Sequence, residues 1–366
     1  MGFRKISRIL PAFLLLLSLA ACGKNAGNAV QKDNTNQNNG DNARQQQQDS
    51  IDETAEEAVE TITVLTNRGD LLDTKLAEYK LLFETENPEI VVEFKAFSRY
   101  DDSVAQLIGK SDYGDVLLIP HSIADKDLAE YFEPLGTVEE LSKDYDSRYL
   151  WEKQLDGMVY GLAQYGEPQG IAYNRRVFEK AGIVELPTTI RAFKQMLRGM
   201  KTTLPDVLPF YQADAEYTDQ RLLNQLLKAD LFDKSSQPGW LNAQIVFNRG
   251  EIGCMMVDWK QLTKLQEADV NPDDIAFMPY PYNTDGIQSA KVVIDYCYAI
   301  NKNSEHKDAA RAWLDYILQR SGFAVSEGAI SIKNKAELPK ILKDFEGVEL
   351  VVESAPPESY IIEEKP

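Results

Sequence analysis

Val159-Tyr160-Gly161-Leu162-Ala163-Gln164-Tyr165-Gly166-Glu167-Pro168-Gln169-Gly170-Ile171-Ala172-Tyr173-Asn174 is the stretch on which the fold turns. Two short apolar runs are interrupted here by Gly166, Pro168 and Gly170. Glycine opens backbone conformations closed to other residues, and proline removes a ladder donor, so the interruption does not suit the middle of a strand. The stretch is therefore expected to leave one lobe and enter another. The length agrees, because the roughly 306 residues from Thr61 to Pro366 exceed what one core comfortably holds.

Upstream, Thr61–Thr66 (TITVLT) is β-branched and bounded by the turn-like Asn67-Arg68-Gly69-Asp70. Leu72, Leu76, Tyr79 and Phe83 then recur at helical spacing. Ile90–Phe94 predicts a second strand, Val104, Leu107 and Ile108 a helix, and Asp115–Ile119 a third strand. Strands separated by helices, with continuous apolar runs, predict an α/β fold with a parallel sheet covered on both faces. Downstream, helices are expected over Thr188–Met200, with Ile190, Phe193, Leu197 and Met200 on one face, and over Asp219–Leu231, capped by Thr188 and Thr218. Strands are expected at Ile252–Val257 and Ile275–Met278, with a long one over Val292–Ile300 that runs between lobes. Ser304 is expected to cap a helix with Ala310, Trp313, Leu314 and Ile317 on its apolar side, ending near Gly322. Val348–Val352 predicts the last strand.

Several segments, in this order, resemble the extracellular solute-binding proteins of ATP-driven importers, the broad sugar-binding family that includes maltose-binding protein. They are Ile171-Ala172-Tyr173-Asn174 with Val177-Phe178-Glu179-Lys180-Ala181-Gly182-Ile183, then Asn248–Val257 (NRGEIGCMMV), then Ala299–Ser304 leading into Lys307-Asp308-Ala309-Ala310. The resemblance spans about Thr61 to Lys335. It implies two doubly wound lobes of the type II periplasmic-binding-protein kind, joined by crossing segments and closing on a ligand. The first lobe is expected over 61–163 plus about 290–325, and the second over 164–289 plus about 326–366. Family members often carry further terminal helices, whereas this chain stops soon after Pro356-Pro357, which predicts a missing or replaced outer layer on the second lobe.

The start of the chain predicts export. Arg4, Lys5 and Arg8 precede an apolar run, Ile9 to Leu19, that is too short to span a bilayer, so residues 1–21 are expected to be a cleaved signal peptide. Leu19-Ala20-Ala21-Cys22 resembles the bacterial lipobox, in which the new terminal cysteine carries diacylglycerol; this implies a lipoprotein held by palmitate-like acyl chains on Cys22. Residues 22–60 continue as a tether. Between Gly23 and Ser50 there are seven Asn and six Gln with almost no large apolar side chain, so nothing offsets the entropy of ordering. A flexible chain of this length reaches about 30 Å. The asparagine-rich tether suits the outer face of a Gram-positive cytoplasmic membrane.

Charge narrows the partners. Removing the three basic leader residues deepens the formal charge from −19 to −22, which argues against nucleic acid, since that partner needs a basic footprint. No CxxC or HExxH spacing predicts a metal, and no cofactor is expected. Cys254 and Cys297 lie in apolar contexts and are expected to be free buried thiols. A monomer partnered by a membrane permease is expected.

A sugar presents hydroxyls around its ring plane and apolar C–H faces above it, so its site needs polar rim groups and flat aromatic surfaces. Candidates are Asn67, Arg68 and Asp70 after the first strand, and His121 and Ser122 after the third. Tyr165 and Glu167 lie on the crossing, Trp240, Asp258 and Trp259 in the second lobe, and Asp295 and Tyr296 on the later crossing strand. Structural alternatives stand beside these: for Arg68 and Asp70 pairing with each other or capping the following helix, for Trp240 sealing the lobe's surface, and for Asp295, a carboxylate inside an apolar run, a structural donor. Trp259 is expected to face the ligand, with its loss sparing the fold. A polyamine or other cation is an alternative cargo for so acidic a body. An anchored glycoside hydrolase is the alternative from another class; it needs a tuned carboxylate pair that no local motif singles out, and no GxSxG, P-loop or GxGxxG occurs, so no enzyme activity is expected.

Overall fold

The computed structural model of the protein describes residues 59–110, 113–212, 219–232, 239–268 and 271–353. The leader, Cys22, the tether, Thr218 and Pro356-Pro357 lie outside the described residues.

The strands are β1 (Glu60–Thr66), β2 (Ile90–Ala96), β3 (Val116–Leu118), β4 (Gly136–Thr137), β5 (Lys153–Leu155), β6 (Met158–Ala163), β7 (Glu167–Pro168), β8 (Gly170–Asn174), β9 (Leu208–Gln212), β10 (Ile252–Val257), β11 (Ile275–Pro279), β12 (Asn283–Thr284), β13 (Ile287–Val293), β14 (Cys297–Ile300) and β15 (Glu349–Val352). The first sheet has the order β2-β1-β3-β14-β6-β4, with β5 beside β6; the second has the order β11-β8-β10-β9; a small third sheet joins β12-β13-β15, with β7 on β13. The quoted stretch thus feeds three sheets in turn: β6 in the first, β7 in the third, β8 in the second.

β1 runs parallel to β2 and β3, as βαβ connections require. The sheet is not parallel throughout, however. β14 pairs antiparallel with β3 and β6, because the chain comes back into this sheet from elsewhere and not through a local crossover helix. In the second sheet every residue of β8, β10 and β11 is buried, the pattern of strands covered on both faces.

The expected long strand over Val292–Ile300 is two strands. β13 ends at Val293 in the third sheet and β14 begins at Cys297 in the first, so Ile294, Asp295 and Tyr296 form the passage between them. The helix expected from Leu72 begins at Lys75. At Ile190–Thr203 the cap is Thr189, whose hydroxyl accepts from the Ala192 amide, and not Thr188. At Gln220–Leu227 the cap is Asp219. Ser304 does not cap the helix Lys307–Gln319; its hydroxyl donates to Asp115 and accepts from the His306 amide. That helix does bury Ala310, Trp313, Leu314 and Ile317, and Trp313 meets Phe83 edge-on at 5.2 Å between ring centroids. Each such large buried side chain contributes about 1.5–3 kcal/mol relative to exposure. Cys254 and Cys297 are free and buried.

The outer layer of the second sheet is supplied late in the chain. The short helical segment Lys340–Phe345 stacks Phe345 on Phe277 at 5.5 Å, and the Tyr173 hydroxyl donates to Asp344 at 2.7 Å. Apolar packing does not divide at the change of sheet. One cluster runs from Ile62 and Trp313 through Tyr149 and Ile330 to Trp259 and Phe277, and a second, around Phe193, Phe210 and Met256, is confined to the other face of the second sheet. The segments that pass between sheets are themselves apolar, so they pack as part of the core.

Two glycines in the quoted stretch are needed for close approach. A Cβ on Gly170 would stand 2.4 Å from the Met278 carbonyl oxygen, and one on Gly166 would stand 2.7 Å from both Tyr149 and Val292. Gly166→Ala is expected to destabilise the protein by about 1–3 kcal/mol through overpacking. Urea denaturation of the pair checks this, and an unchanged midpoint would show that Tyr149 yields freely.

Candidate functional site

The carboxyl ends of β1, β3 and β10 turn toward the passage between β13 and β14. In open α/β sheets this is where ligands are held, since the ends of parallel strands leave a crevice that loops line.

Arg68 follows β1. Its guanidinium forks onto Asp70, with Nε to Oδ1 at 3.0 Å and Nη2 to Oδ2 at 2.7 Å, and Nη1 donates to Glu327. The other Glu327 oxygen accepts from Lys75 at 2.8 Å. Burial pulls the Arg68 pKa down, but the hydrogen bonds it donates to Asp70 and Glu327 outweigh it and the net shift is upward. Asp70, though largely exposed, is held below the usual carboxylate range by the Arg68 hydrogen bond. Beside them Asn67 is half-buried, and its Oδ1 has no hydrogen-bond partner among the described residues.

His121 follows β3. Its backbone N–H and its Nδ1 both meet Asp101 Oδ1, at 2.8 and 2.9 Å, and its ring lies 4.5 Å from that of Tyr296. The Tyr296 hydroxyl donates to the other Asp101 oxygen. Burial opposes ionisation of Asp101, but the bonds from Tyr296 and His121 lower its pKa overall. Ser122 is exposed at the edge of this group.

Asp295, in the passage itself, joins the two sheets. His121 Nε2 stands 3.5 Å from Oδ1 and Lys260 Nζ 3.5 Å from Oδ2. His121 hangs from the first sheet and Lys260 from the helix Trp259–Ala268 that follows β10. The Asp295 side chain is only 16 % exposed, yet both nitrogens stand beyond the 2.7–3.2 Å of a good hydrogen bond. Tyr165, on the first crossing, packs against Phe323 at 6.0 Å; burial, then the nearby Glu167 charge, raises its pKa and keeps the hydroxyl protonated.

Glu167, Pro168, Gln169, Val257, Asp258, Trp259 and Val293 line a small open recess. Glu167 is buried in β7 opposite Val293. Asp258 caps its own helix, accepting from the Gln261 amide at 2.7 Å while the Gln261 side chain accepts from the Asp258 amide at 3.1 Å. Trp259 is 6 % exposed. Phe277 lies 5.9 Å from its ring, and Gly328 approaches so closely that a Cβ there would be 3.4 Å away. Its indole N–H has no hydrogen-bond partner among the described residues. Trp240 opens the helix Trp240–Asn248, packs half-buried against the core, and does not line the recess.

The structure thus brings Arg68, Asp70, His121, Asp295 and Tyr296 into linked ion-pair and hydrogen-bond groups, and Glu167, Asp258 and Trp259 around one recess. Four residues were missed: Lys75, Asp101, Lys260 and Glu327. Their signals were weak, because each sits on an ordinary helix face or turn and only long-range packing gives it a partner. No group of three His, Cys, Asp or Glu side chains among the described residues is placed to hold a metal ion.

Residues 64–322 match the family described as bacterial extracellular solute-binding protein, and the chain belongs to that family. Its members are binding proteins that work outside the cytoplasm. Among solved structures, the chain is similar to BlMnBP1, an ABC-transporter binding protein of Bifidobacterium animalis subsp. lactis in complex with mannobiose, at 28% identity over 82% of each chain and a TM-score of 0.65. It is similar to BlMnBP2, a manno-oligosaccharide-specific solute-binding protein of the same organism in complex with mannotriose, at 26% identity over 84% of each chain and a TM-score of 0.66. RafE of Streptococcus pneumoniae shares the fold at 18% identity, covering 81% of this chain and 88% of that one, with a TM-score of 0.65. No curated protein matches the sequence.

The burial of Trp259 changes what its removal should do. Trp259→Ala is expected to cost about 3–5 kcal/mol of stability through the cavity it leaves, contrary to a purely ligand-facing ring. Thermal melts without ligand check this; a melting temperature equal to that of the parent would return Trp259 to the role of an exposed stacking platform.

Proposed function

We propose that the protein is the receptor of an ABC importer and captures a mono- or oligosaccharide by closure of two lobes, without chemistry of its own. The lobes are residues 61–163 with about 290–325, and 164–289 with about 326–366. The observation that carries this reading is the meeting of His121 from one sheet and Lys260 from the other on Asp295. A group assembled from both lobes is complete only when they approach, so a ligand held there favours the closed state. Polar atoms around Asp295, Arg68 and Glu167 suit hydroxyls. The binding of mannobiose and mannotriose by the two Bifidobacterium proteins supports a saccharide as cargo.

Affinity in the micromolar range needs about 8 kcal/mol net, while a hydrogen bond to a charged group contributes about 1.5–3 kcal/mol. Several contacts from both walls must act together after association costs. A polyamine finds less support, because Asp70, Asp101, Asp295 and Glu327 each already face a cationic or histidine side chain of the protein. Hydrolysis finds none beyond the presence of carboxylates.

Thermal-shift measurements against mannobiose, mannotriose, maltose and spermidine test the cargo. A saccharide at 100 times its dissociation constant is expected to add about 2.7 kcal/mol to stability. Stabilisation by spermidine alone would replace the sugar by a cation, and release of reducing ends on incubation would make the protein an enzyme.

The signal and lipobox support anchoring through Cys22 on the outer face of the cytoplasmic membrane, in a Gram-positive cell, with the body monomeric beside its permease. More than one acyl chain is needed for stable attachment, each buried methylene contributing about 0.8 kcal/mol. Cys22→Ser is expected to move the protein from the membrane fraction to the medium, read by fractionation and immunoblot. Retention in the membrane fraction would show that something other than lipid on Cys22 holds it.

A further inference from the structure

Each cation on the two walls already faces a carboxylate. Arg68 faces Asp70 and Glu327, Lys75 faces Glu327, His121 faces Asp101 and Asp295, and Lys260 faces Asp295. The recess beside them adds Glu167 and Asp258, so carboxylates outnumber the cations. An anionic ligand would therefore meet no uncommitted positive charge among these groups, and would have to displace a carboxylate from one of them.

Asp295 differs from the other carboxylates. Asp70, Asp101 and Glu327 each accept hydrogen bonds from protein donors, whereas Asp295 is largely enclosed and, among the described residues, has only the two contacts at 3.5 Å. A carboxylate has about four lone-pair sites, so Asp295 retains acceptor capacity where both walls converge. Two hydroxyls of one sugar ring can donate to such a carboxylate; a second carboxylate cannot, because like charges at that separation repel without intervening water.

We propose that this cleft selects uncharged sugars and rejects carboxylated ones, and that Asp295 is the residue setting that preference. The inference rests on the saccharide-receptor reading and adds the charge class of the ligand. His121 and Lys260 hold Asp295 in place from either side, and the ring hydroxyls of the sugar complete its coordination.

Calorimetric titration of the purified protein with neutral disaccharides (mannobiose, maltose, cellobiose) and with the same disaccharides oxidised at C6 to uronates provides the test. At least one neutral disaccharide is expected to bind, with its uronate form at least about 100-fold weaker, since like-charge juxtaposition costs several kcal/mol. Asp295→Asn is expected to shrink that ratio about tenfold, and Lys260→Met to widen it; a merely structural role for either residue would weaken both ligands equally. Equal affinity for the neutral and uronate forms, or a ratio unmoved by both substitutions, overturns the inference while leaving the receptor reading intact. Failure of every sugar in both charge forms overturns the receptor reading and this inference with it. If Asp295→Asn does not fold, the ratio in the unaltered protein and its change in Lys260→Met decide.

Discussion

The three residues Ile294, Asp295 and Tyr296 must carry the chain from the third sheet into the first, and the rest of the structure is arranged around that passage. One backbone bond ties the passage to β6's end, the Gln164 amide donating to the Tyr296 carbonyl at 2.9 Å, and side chains fix the rest. Tyr296 does this by donating to Asp101 and packing its ring beside His121. Asp295 does it by drawing His121 from the first sheet and Lys260 from the helix after β10. The same contacts that position the passage therefore also position the polar atoms of the cleft.

This economy has an energetic basis. A buried carboxylate without compensation is costly, and attraction in a less polar medium repays the cost only when geometry and further hydrogen bonds are good. Glu327 meets that condition with Arg68 and Lys75, and its enclosure ties the loop after β1 to the last crossing. Asp295 meets it less completely, because its neighbours are farther away. The difference separates a carboxylate held by close hydrogen bonds from one held only by neighbours 3.5 Å away.

Packing sets the limit on movement. The apolar cluster continues through the passages, with Tyr149 against Gly166 and Trp259 between Phe277 and Gly328. The segments that pass between sheets are therefore part of the core themselves, and close-packed interiors move between discrete arrangements more readily than they deform continuously. The late segment Lys340–Val352 adds to this constraint by closing one face of the second sheet and extending the third.

Much of the α/β architecture was legible in the amino-acid order, because strand and helix periods depend on neighbours within a few residues: the β1, β2, β3, β10 and β11 segments and the apolar side of Lys307–Gln319 follow from pattern alone. The crossing was legible too, since Gly166 and Gly170 fit only where another chain presses close. Asp295 stood out because a carboxylate within an apolar run is expensive. What local pattern could not give was the break of the Val292–Ile300 run, the antiparallel entry of β14, the burial of Trp259, or the partners Asp101, Lys260 and Glu327. Each of these depends on residues far apart in the chain, Glu327 reaching Arg68 across 259 positions, and such contacts exist only once the sheets have packed. Sequence determined which residues form strands and which are costly to bury; tertiary structure decided which distant charge relieves each cost, because that is fixed by packing and not by period.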